Sequence, residues 1–308
     1  MKTGKERIEE LKKKYGTKAI ENAVRMHPHD VPDIVDWADE LDEHYTKLWL
    51  DFSYGGMFAR GILDERTRGL VVIGQFVAMD ELEQLPTHIR SALAHKASPR
   101  EVLEVILQAG VYTGYPRIVR ATRVFKQVVF ELGRMDEITK TQLSRDGGNA
   151  QRSLERERAG WKTPESPKRE KFLQKYGWKS LSAGLRLQPT HHVQSVERLD
   201  RVDQQFAKLW LDAVYAGMYS RGILDDKTRV LCVVGELYVM GEFHQAEHHI
   251  RNVLMLGTSG REVLEVILQS TIYAGMPRFV RFVGILERAL EEQGRLAELT
   301  DTQHPLPV

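Results

Sequence analysis

The octapeptide EVLEVILQ occupies residues 101–108 and returns without a change at residues 262–269. A serine three positions before the first glutamate, Ser98 or Ser259, completes a capping box in each place, which predicts that a helix begins there. After its first turn this helix is apolar nearly all round, a pattern that is typical of a buried helix. The sequence therefore predicts that one buried helix occurs twice in the chain.

Segments on both sides of the octapeptide also recur, always 161 positions further along. They are Trp-Leu-Asp at 49–51 and 210–212, Arg-Gly-Ile-Leu-Asp at 60–64 and 221–225, His-Ile-Arg at 88–90 and 249–251, and Tyr-x-Gly-x-Pro-Arg at 112–117 and 273–278. A match of roughly a hundred residues is too long for a solenoid repeat and suits a small domain. We therefore expect two similar domains.

Helix signals account for most of each copy, so the expected fold class is all-α. Asp64 and Asp225 each precede an apolar run as N-capping residues, and Gly133 and Gly294 end the last helix of each copy. The expected division is a first domain with an N-terminal arm at 1–134, a charged linker at 135–165, a second domain with its own arm at 166–295, and a C-terminal tail at 296–308.

Composition excludes several classes of function. The 44 lysines and arginines nearly balance the 43 aspartates and glutamates, so no strong field attracts nucleic acid or an anionic membrane. The apolar runs are too short to cross a bilayer. The single cysteine, Cys232, excludes an internal disulfide, a Cys-x-x-Cys centre and a cysteine-rich zinc site, and it fits a reducing compartment. These features predict a soluble cytoplasmic protein in which Cys232 is a buried, inert thiol.

A polar stripe that ends in a histidine is the main candidate for chemistry. It consists of Glu81, Gln84 and His88 in the first copy, and of Glu242, Gln245 and His249 in the second. On a helix, the spacing i, i+3, i+7 places the three side chains on one face. A histidine beside a carboxylate can exchange protons near neutral pH. The alternative interpretation is an exposed helix face or a structurally hydrogen-bonded histidine.

Arginines also recur in both copies, and five of them, Arg60, Arg68, Arg90, Arg117 and Arg120 in the first copy, are considered as site candidates. Arg60 and Arg221 are the best candidates for a substrate site, because a guanidinium can clamp a carboxylate and each lies in a glycine-containing turn before a helix. Ion pairing between helices or between subunits is the alternative for most of the five. Tyr112 and Tyr273, from the Tyr-x-Gly-x-Pro segments, complete the candidate substrate-binding residues.

The second copy alone contains His244-Gln-Ala-Glu-His248, which matches the H-x-x-E-H pattern of some zinc peptidases. The first copy has Glu83 and Thr87 at the positions of the two histidines. A metal function shared by the copies would require ligands in both, so zinc hydrolysis is only a third hypothesis, and no metal site is predicted.

Taken in order, these landmarks resemble the carboxymuconolactone decarboxylase family, which belongs to the alkylhydroperoxidase-D-like superfamily of small all-helical domains. The resemblance covers roughly residues 41–134 and 202–295. It implies helical protomers that assemble as trimers or hexamers with pockets between neighbouring domains. Three two-domain chains would then form a pseudo-hexameric ring.

The resemblance also implies a reaction, the cofactor-free decarboxylation of a carboxylated lactone in aromatic catabolism. His88 and His249 would take the acid/base position, and Arg60 and Arg221 would hold the substrate carboxylate. The redox branch of the superfamily needs a Cys-x-x-Cys ahead of the histidine, so thiol peroxidase activity is excluded here. Family decarboxylases usually have an acid four positions before the histidine, where this chain has Gln84 and Gln245.

The leading hypothesis is therefore a cofactor-independent lyase or isomerase that acts on a carboxylated lactone or a related enolisable acid. The competing hypothesis is a non-catalytic helical oligomer that binds a small acidic ligand or a partner protein. Fold alone does not decide between the two.

Overall fold

The structure is a computed structural model that describes residues 4–28, 30–140 and 158–300. In this part of the chain the first copy and the segment after it form nine α-helices: α1 (Gly4–Tyr15), α2 (Thr17–Met26), α3 (Val31–Leu41), α4 (Glu43–Leu50), α5 (Glu65–Met79), α6 (Leu85–Ala94), α7 (Pro99–Thr113), α8 (Tyr115–Glu131) and α9 (Met135–Lys140). The second copy forms eight: α10 (Pro167–Tyr176), α11 (Trp178–Leu187), α12 (His192–Val202), α13 (Gln204–Trp210), α14 (Asp226–Met240), α15 (Phe243–Met255), α16 (Gly260–Ala274) and α17 (Phe279–Glu291).

The prediction of an all-α fold built from two tandem copies is confirmed, and the described residues contain no β-strand. The predicted caps also form. The Asp64 carboxylate accepts a hydrogen bond from the Thr67 backbone N–H at 2.9 Å, and Asp225 does the same for Thr228 at 2.8 Å. Both capping boxes, at Ser98 and Ser259, are complete. Local sequence signals therefore determine where these helices begin.

The segment between the copies was expected to be a linker from residue 135 to residue 165. In the structure its first residues form helix α9, and near its end Trp161 donates a hydrogen bond to Ser182 Oγ of helix α11 at 2.9 Å. Residues 141–157 lie outside the described part, and so does the predicted tail beyond residue 300.

Helices α5 and α14, one from each copy, pack against each other at the centre of the molecule. Glycines allow the close approach: a Cβ on Gly74 would lie 2.8 Å from Oε1 of Glu236, and a Cβ on Gly235 would lie 2.7 Å from Cγ1 of Val71. Apolar residues of both copies consequently share one continuous core. Cys232 is fully buried in this core, and burial raises the pKa of its thiol well above the usual range, as expected for an inert cysteine.

Two buried ion-pair clusters join the copies across this centre. Arg229 Nη2 contacts Glu104 at 2.9 Å, and Nη1 of Arg229 donates to Gln108 at 2.9 Å. In the equivalent cluster Arg68 contacts Glu265 and Gln269 at 3.2 and 3.0 Å. The repeated octapeptide therefore carries, in both copies, the glutamate and glutamine that bind a buried arginine of the other copy.

A short π-helix follows α4 and another follows α13, at 51–56 and 211–219. The wider π turn brings the carbonyl of the residue five positions earlier close to a glycine within each π-helix. A Cβ on Gly56 would lie 3.3 Å from the Asp51 carbonyl oxygen, and one on Gly217 would lie 3.1 Å from that of Asp212. Such turns are rare and often occur at functional sites.

The predicted N-terminal arms are helical. Helices α1 to α3 form a smaller apolar cluster around Leu11, Tyr15 and Ile20, which packs on the π-helix of the first copy. No helix among the described residues combines the length and the apolar composition that a membrane span requires.

Candidate active site

Two cavities of about 320 and 370 Å³ lie at the junction of the two copies. Site A is lined by Trp49, Ser53, Tyr54, Phe58, Phe76, Met79, Glu81, Gln84, His88, Ile272 and Tyr273. Site B is lined by Val111, Tyr112, Gln188, His191, Ser195, Trp210, Val214, Tyr215, Tyr219, Leu237, Met240, Glu242, Gln245 and His249. Every lining position of site A has its counterpart in site B, 161 positions away. The two cavities are therefore equivalent sites related by the repeat.

Each site is completed by the other copy. Tyr273 of helix α16 enters site A, and Tyr112 of helix α7 enters site B. Most of the remaining lining residues come from the copy that supplies the histidine. The pairing of the two copies is therefore what builds the cavities, and neither copy alone provides a full set of side chains.

The candidate histidines are buried side chains in the lining of the two cavities. His88 is 8% exposed and His249 is 3% exposed. Burial lowers the pKa of His88 well below its usual range and that of His249 to about 3. Both imidazoles are consequently neutral in the resting protein near pH 7. A neutral imidazole can accept a proton or donate a hydrogen bond, and it acts as an acid only after it has taken up a proton.

The polar residues before each histidine reach the cavities, but they do not form one helical stripe. Helix α6 begins at Leu85, so Glu81 lies in the preceding turn, where its Oε1 accepts hydrogen bonds from the N–H groups of Glu83 and Gln84 at 3.0 and 3.3 Å. The cause is Pro86, which lacks an N–H and favours the first turn of a helix.

In the second copy Glu247 replaces that proline, and helix α15 begins earlier, at Phe243. Gln245 and His249 therefore share a helix, while Glu242 precedes it. The expectation of a single helical face was wrong for the first copy and holds in part for the second.

The two predicted tyrosines contact the histidines. The rings of His88 and Tyr273 lie 5.8 Å apart, and those of His249 and Tyr112 lie 5.7 Å apart, both edge to face. Tyr112 Oη is 3.4 Å from His249 Nε2. Burial raises the pKa of both tyrosines far above 7, so their hydroxyls remain protonated and can donate hydrogen bonds.

The predicted arginines lie elsewhere. Nε of Arg60 contacts the buried Glu265 carboxylate at 2.8 Å, and Nε of Arg221 contacts Glu104 at 3.3 Å. Neither arginine lines a cavity, and no lysine or arginine is among the lining residues of sites A and B. The alternative interpretation, ion pairing between helices, describes their contacts.

Residues of the arms also reach the sites, which the sequence analysis did not predict. The ring of His27 lies 5.0 Å from that of His88, and Gln188 Oε1 accepts a hydrogen bond from Tyr215 Oη at 2.8 Å. His27 and Gln188 occupy equivalent positions in the repeat. The recurrence of the arms was the available signal, but only packing reveals that they close the cavities.

The histidines of the H-x-x-E-H segment lie beside site B. The rings of His244 and His248 are 5.2 Å apart, and His191 stacks on His248 at 4.3 Å. Among the described residues, no group of three or more histidine, cysteine, aspartate or glutamate side chains is arranged to hold a metal ion. The zinc hypothesis thus has no set of ligands in this part of the chain.

Comparisons with known proteins agree with the repeat. A model of the carboxymuconolactone decarboxylase family matches residues 43–127 and again residues 204–288, together more than half of the chain.

Individual relatives are similar at low identity. A nitrosuccinic acid decarboxylase of Metarhizium robertsii is 24% identical over 117 residues, which covers 38% of this chain and 74% of that protein. A 4-carboxymuconolactone decarboxylase of Acinetobacter baylyi is 26% identical over 104 residues, covering 34% of this chain and 78% of that protein. An uncharacterised 15.0 kDa protein of Paracoccus denitrificans is 34% identical over 84 residues, with coverages of 27% and 63%.

Proposed function

Because this chain belongs to the carboxymuconolactone decarboxylase family, we propose that it is a cofactor-independent decarboxylase that acts on a carboxylated lactone or a related enolisable acid. The observation that carries the proposal is a buried, neutral histidine that faces a tyrosine of the other copy in both cavities. The names of two relatives, a nitrosuccinic acid decarboxylase and a 4-carboxymuconolactone decarboxylase, support the same reaction class.

In the proposed reaction the bond between the substrate carbon and its carboxylate breaks. Carbon dioxide leaves, and the electron pair moves onto a conjugated carbonyl oxygen as an enolate. Two donors that line each cavity would donate hydrogen bonds to that oxygen: the tyrosine hydroxyl and the glutamine amide, from Tyr273 and Gln84 in site A or Tyr112 and Gln245 in site B. Donors aimed at developing charge stabilise the transition state more than the substrate.

The lack of a cation in the lining favours the same step. A substrate carboxylate in site A or B meets aromatic rings, neutral donors and the carboxyl group of Glu81 or Glu242 rather than a guanidinium, so its own charge is poorly stabilised. The enolate spreads that charge toward the hydroxyl and amide donors. The differential stabilisation of transition state over substrate is the source of catalysis.

One proton must return to carbon after carbon dioxide leaves. We assign this transfer to His88 and His249, whose lowered pKa values leave a neutral ring that takes a proton from solvent and passes it to the substrate carbon. Glu81 lines site A and Glu242 lines site B, and each would help to position the substrate within its cavity.

We also propose that the protein assembles as a trimer of two-domain chains and that it acts in the cytoplasm, in aromatic catabolism. Exposed apolar side chains at equivalent positions of both copies support the assembly. They are Leu41, Tyr45 and Leu48 in the first copy, and Val202, Phe206 and Leu209 in the second, all more than half exposed. Large apolar side chains exposed at the same positions of both copies are a feature of protein interfaces.

The decisive test measures carbon dioxide release from a panel of carboxylated lactones and enolisable acids. The double variant His88→Ala, His249→Ala is expected to lose turnover by about 10²-fold or more, since a positioned general acid/base contributes 10²–10⁴-fold. His44→Ala, at an exposed histidine outside both sites, is the matched control and should keep wild-type turnover. Full turnover in a folded double variant would remove histidine from the mechanism, and ligand binding without carbon dioxide release would favour the binding oligomer.

A further inference from the structure

One of the differences between sites A and B adds a hydroxyl beside the candidate tyrosine and histidine. Tyr219 of site B stands where site A has Phe58. The two rings have the same surroundings: the Arg229 guanidinium lies 5.3 Å from the Tyr219 ring, and Arg68 lies 5.5 Å from the Phe58 ring. The hydroxyl of Tyr219 is therefore the difference between two otherwise matched positions.

That hydroxyl begins a chain of contacts that ends on the candidate catalytic histidine. Tyr219 Oη lies 3.1 Å from Tyr112 Oη, which lies 3.4 Å from His249 Nε2. In site A no hydrogen bond joins Tyr273 to His88, and Phe58 has none to offer. Site B thus contains a connected set of Tyr, Tyr and His where site A contains separate side chains.

We propose that Tyr219 is a positioning residue that directs the Tyr112 hydroxyl toward His249 and makes site B the faster of the two sites. The inference rests on the proposed function for its effect on turnover, but its geometry does not. If Tyr219 donates to Tyr112, one of the two lone pairs of Tyr112 is engaged, and its single hydrogen can point to Nε2 of His249. His249 then carries its proton on Nδ1.

Tyr112 and Tyr219 both line site B. When a substrate oxygen binds there, Tyr112 can turn its single O–H from His249 to that oxygen while it still accepts the hydrogen bond from Tyr219. A hydroxyl that accepts a hydrogen bond is also a stronger donor, because neighbouring hydrogen bonds polarise one another. The ligand class that benefits is a substrate whose carbonyl oxygen gains negative charge during the reaction.

The first measurement does not depend on turnover. In protein labelled with ¹⁵N-histidine, His249 is expected to be the Nδ1–H tautomer, and Tyr219→Phe should shift its ring nitrogens toward a mixture of tautomers. His88 should be unchanged by Tyr219→Phe, which makes it an internal control. Identical His249 nitrogen shifts in wild type and Tyr219→Phe would overturn the proposal whatever the activity of the protein.

The second measurement isolates each site with a histidine variant. In a His88→Ala background, which leaves site B, Tyr219→Phe should lower kcat about tenfold with little change in KM, because Tyr219 acts through Tyr112 and loss of a donor to developing charge itself costs up to 10²–10³-fold. In a His249→Ala background, Phe58→Tyr should raise kcat of site A. Equal kcat values for the two isolated sites, unaffected by either exchange, would contradict the proposal. No carbon dioxide release from any substrate would instead contradict the proposed function.

Discussion

Replacement of Glu104 by glutamine is expected to lower the free energy of unfolding by about 3–5 kcal/mol, the cost of removing one partner from a buried ion pair. Glu104 is 1% exposed and contacts two guanidinium groups, those of Arg229 and Arg221, at 2.9 and 3.3 Å. Glutamine keeps the size of the side chain but leaves both cations without a counter-charge. Arg229 is 1% exposed, so water cannot replace the lost carboxylate.

The equivalent variant Glu265→Gln should also lose stability, but less, because it removes one carboxylate from Arg68 and Arg60 while Glu65 still lies 3.7 Å from Arg68. Glu131→Gln is the matched control: its carboxylate pairs with Arg90 at 2.6 Å, but both side chains are partly exposed. An exposed pair is worth about 1 kcal/mol or less. Urea denaturation of the three variants at one pH measures the differences. A loss in Glu104→Gln no larger than in Glu131→Gln would contradict the role of the clusters in joining the copies.

These clusters also illustrate what the sequence could predict. The helices followed from local signals, because a cap such as Ser98 or Asp64 acts within one turn of its own residue. Glu104 and Gln108 gave a signal of a different kind: two polar residues four apart inside an otherwise apolar helix, repeated in the second copy. Their partner was not predictable, because Arg229 lies in the other copy and only the packing of α5 on α14 brings the residues together.

The sites show the same limit. His88 and His249 could be singled out from the repeat, and the structure places each in a cavity with its predicted tyrosine. The spacing of the residues did not indicate that this tyrosine comes from the other copy. The ion pairs of Arg60 and Arg221 could not be predicted either, because an arginine that recurs for contacts between helices looks the same in sequence as one that binds a substrate.

Replacement of Glu236 by glutamine is expected to stabilise the protein at high pH and to change little at low pH. Glu236 is fully buried, and within the described residues neither carboxyl oxygen has a hydrogen-bond partner. Burial raises the pKa of this carboxyl from 4.5 to about 8, and Gln108 and Arg229 offset the effect only in part. The first copy has Gln75 at the equivalent position, so the glutamine is compatible with the same packing.

The sign of the pH dependence follows from proton binding. Between about pH 4.5 and 8 the folded protein holds a proton on Glu236 that the unfolded chain has released, so the free energy of unfolding falls as pH rises through this window. Each unit of pKa shift corresponds to about 1.4 kcal/mol, so the loss is on the order of a few kcal/mol. Glu236→Gln has no such group and should lack this part of the pH dependence.

Denaturation of wild type and Glu236→Gln at pH 5 and pH 9 measures the effect, since the other titrating groups are common to both proteins and cancel in the difference. The variant should be nearly equal to wild type at pH 5 and more stable by a few kcal/mol at pH 9. Gln75→Glu is the reciprocal variant, and it is expected to lose stability as pH rises. In the wild-type protein the Gln75 amide donates a hydrogen bond to Ser270 Oγ, which a carboxylate cannot do. A stability difference between wild type and Glu236→Gln that is the same at both pH values would show that Glu236 is already ionised in the folded protein.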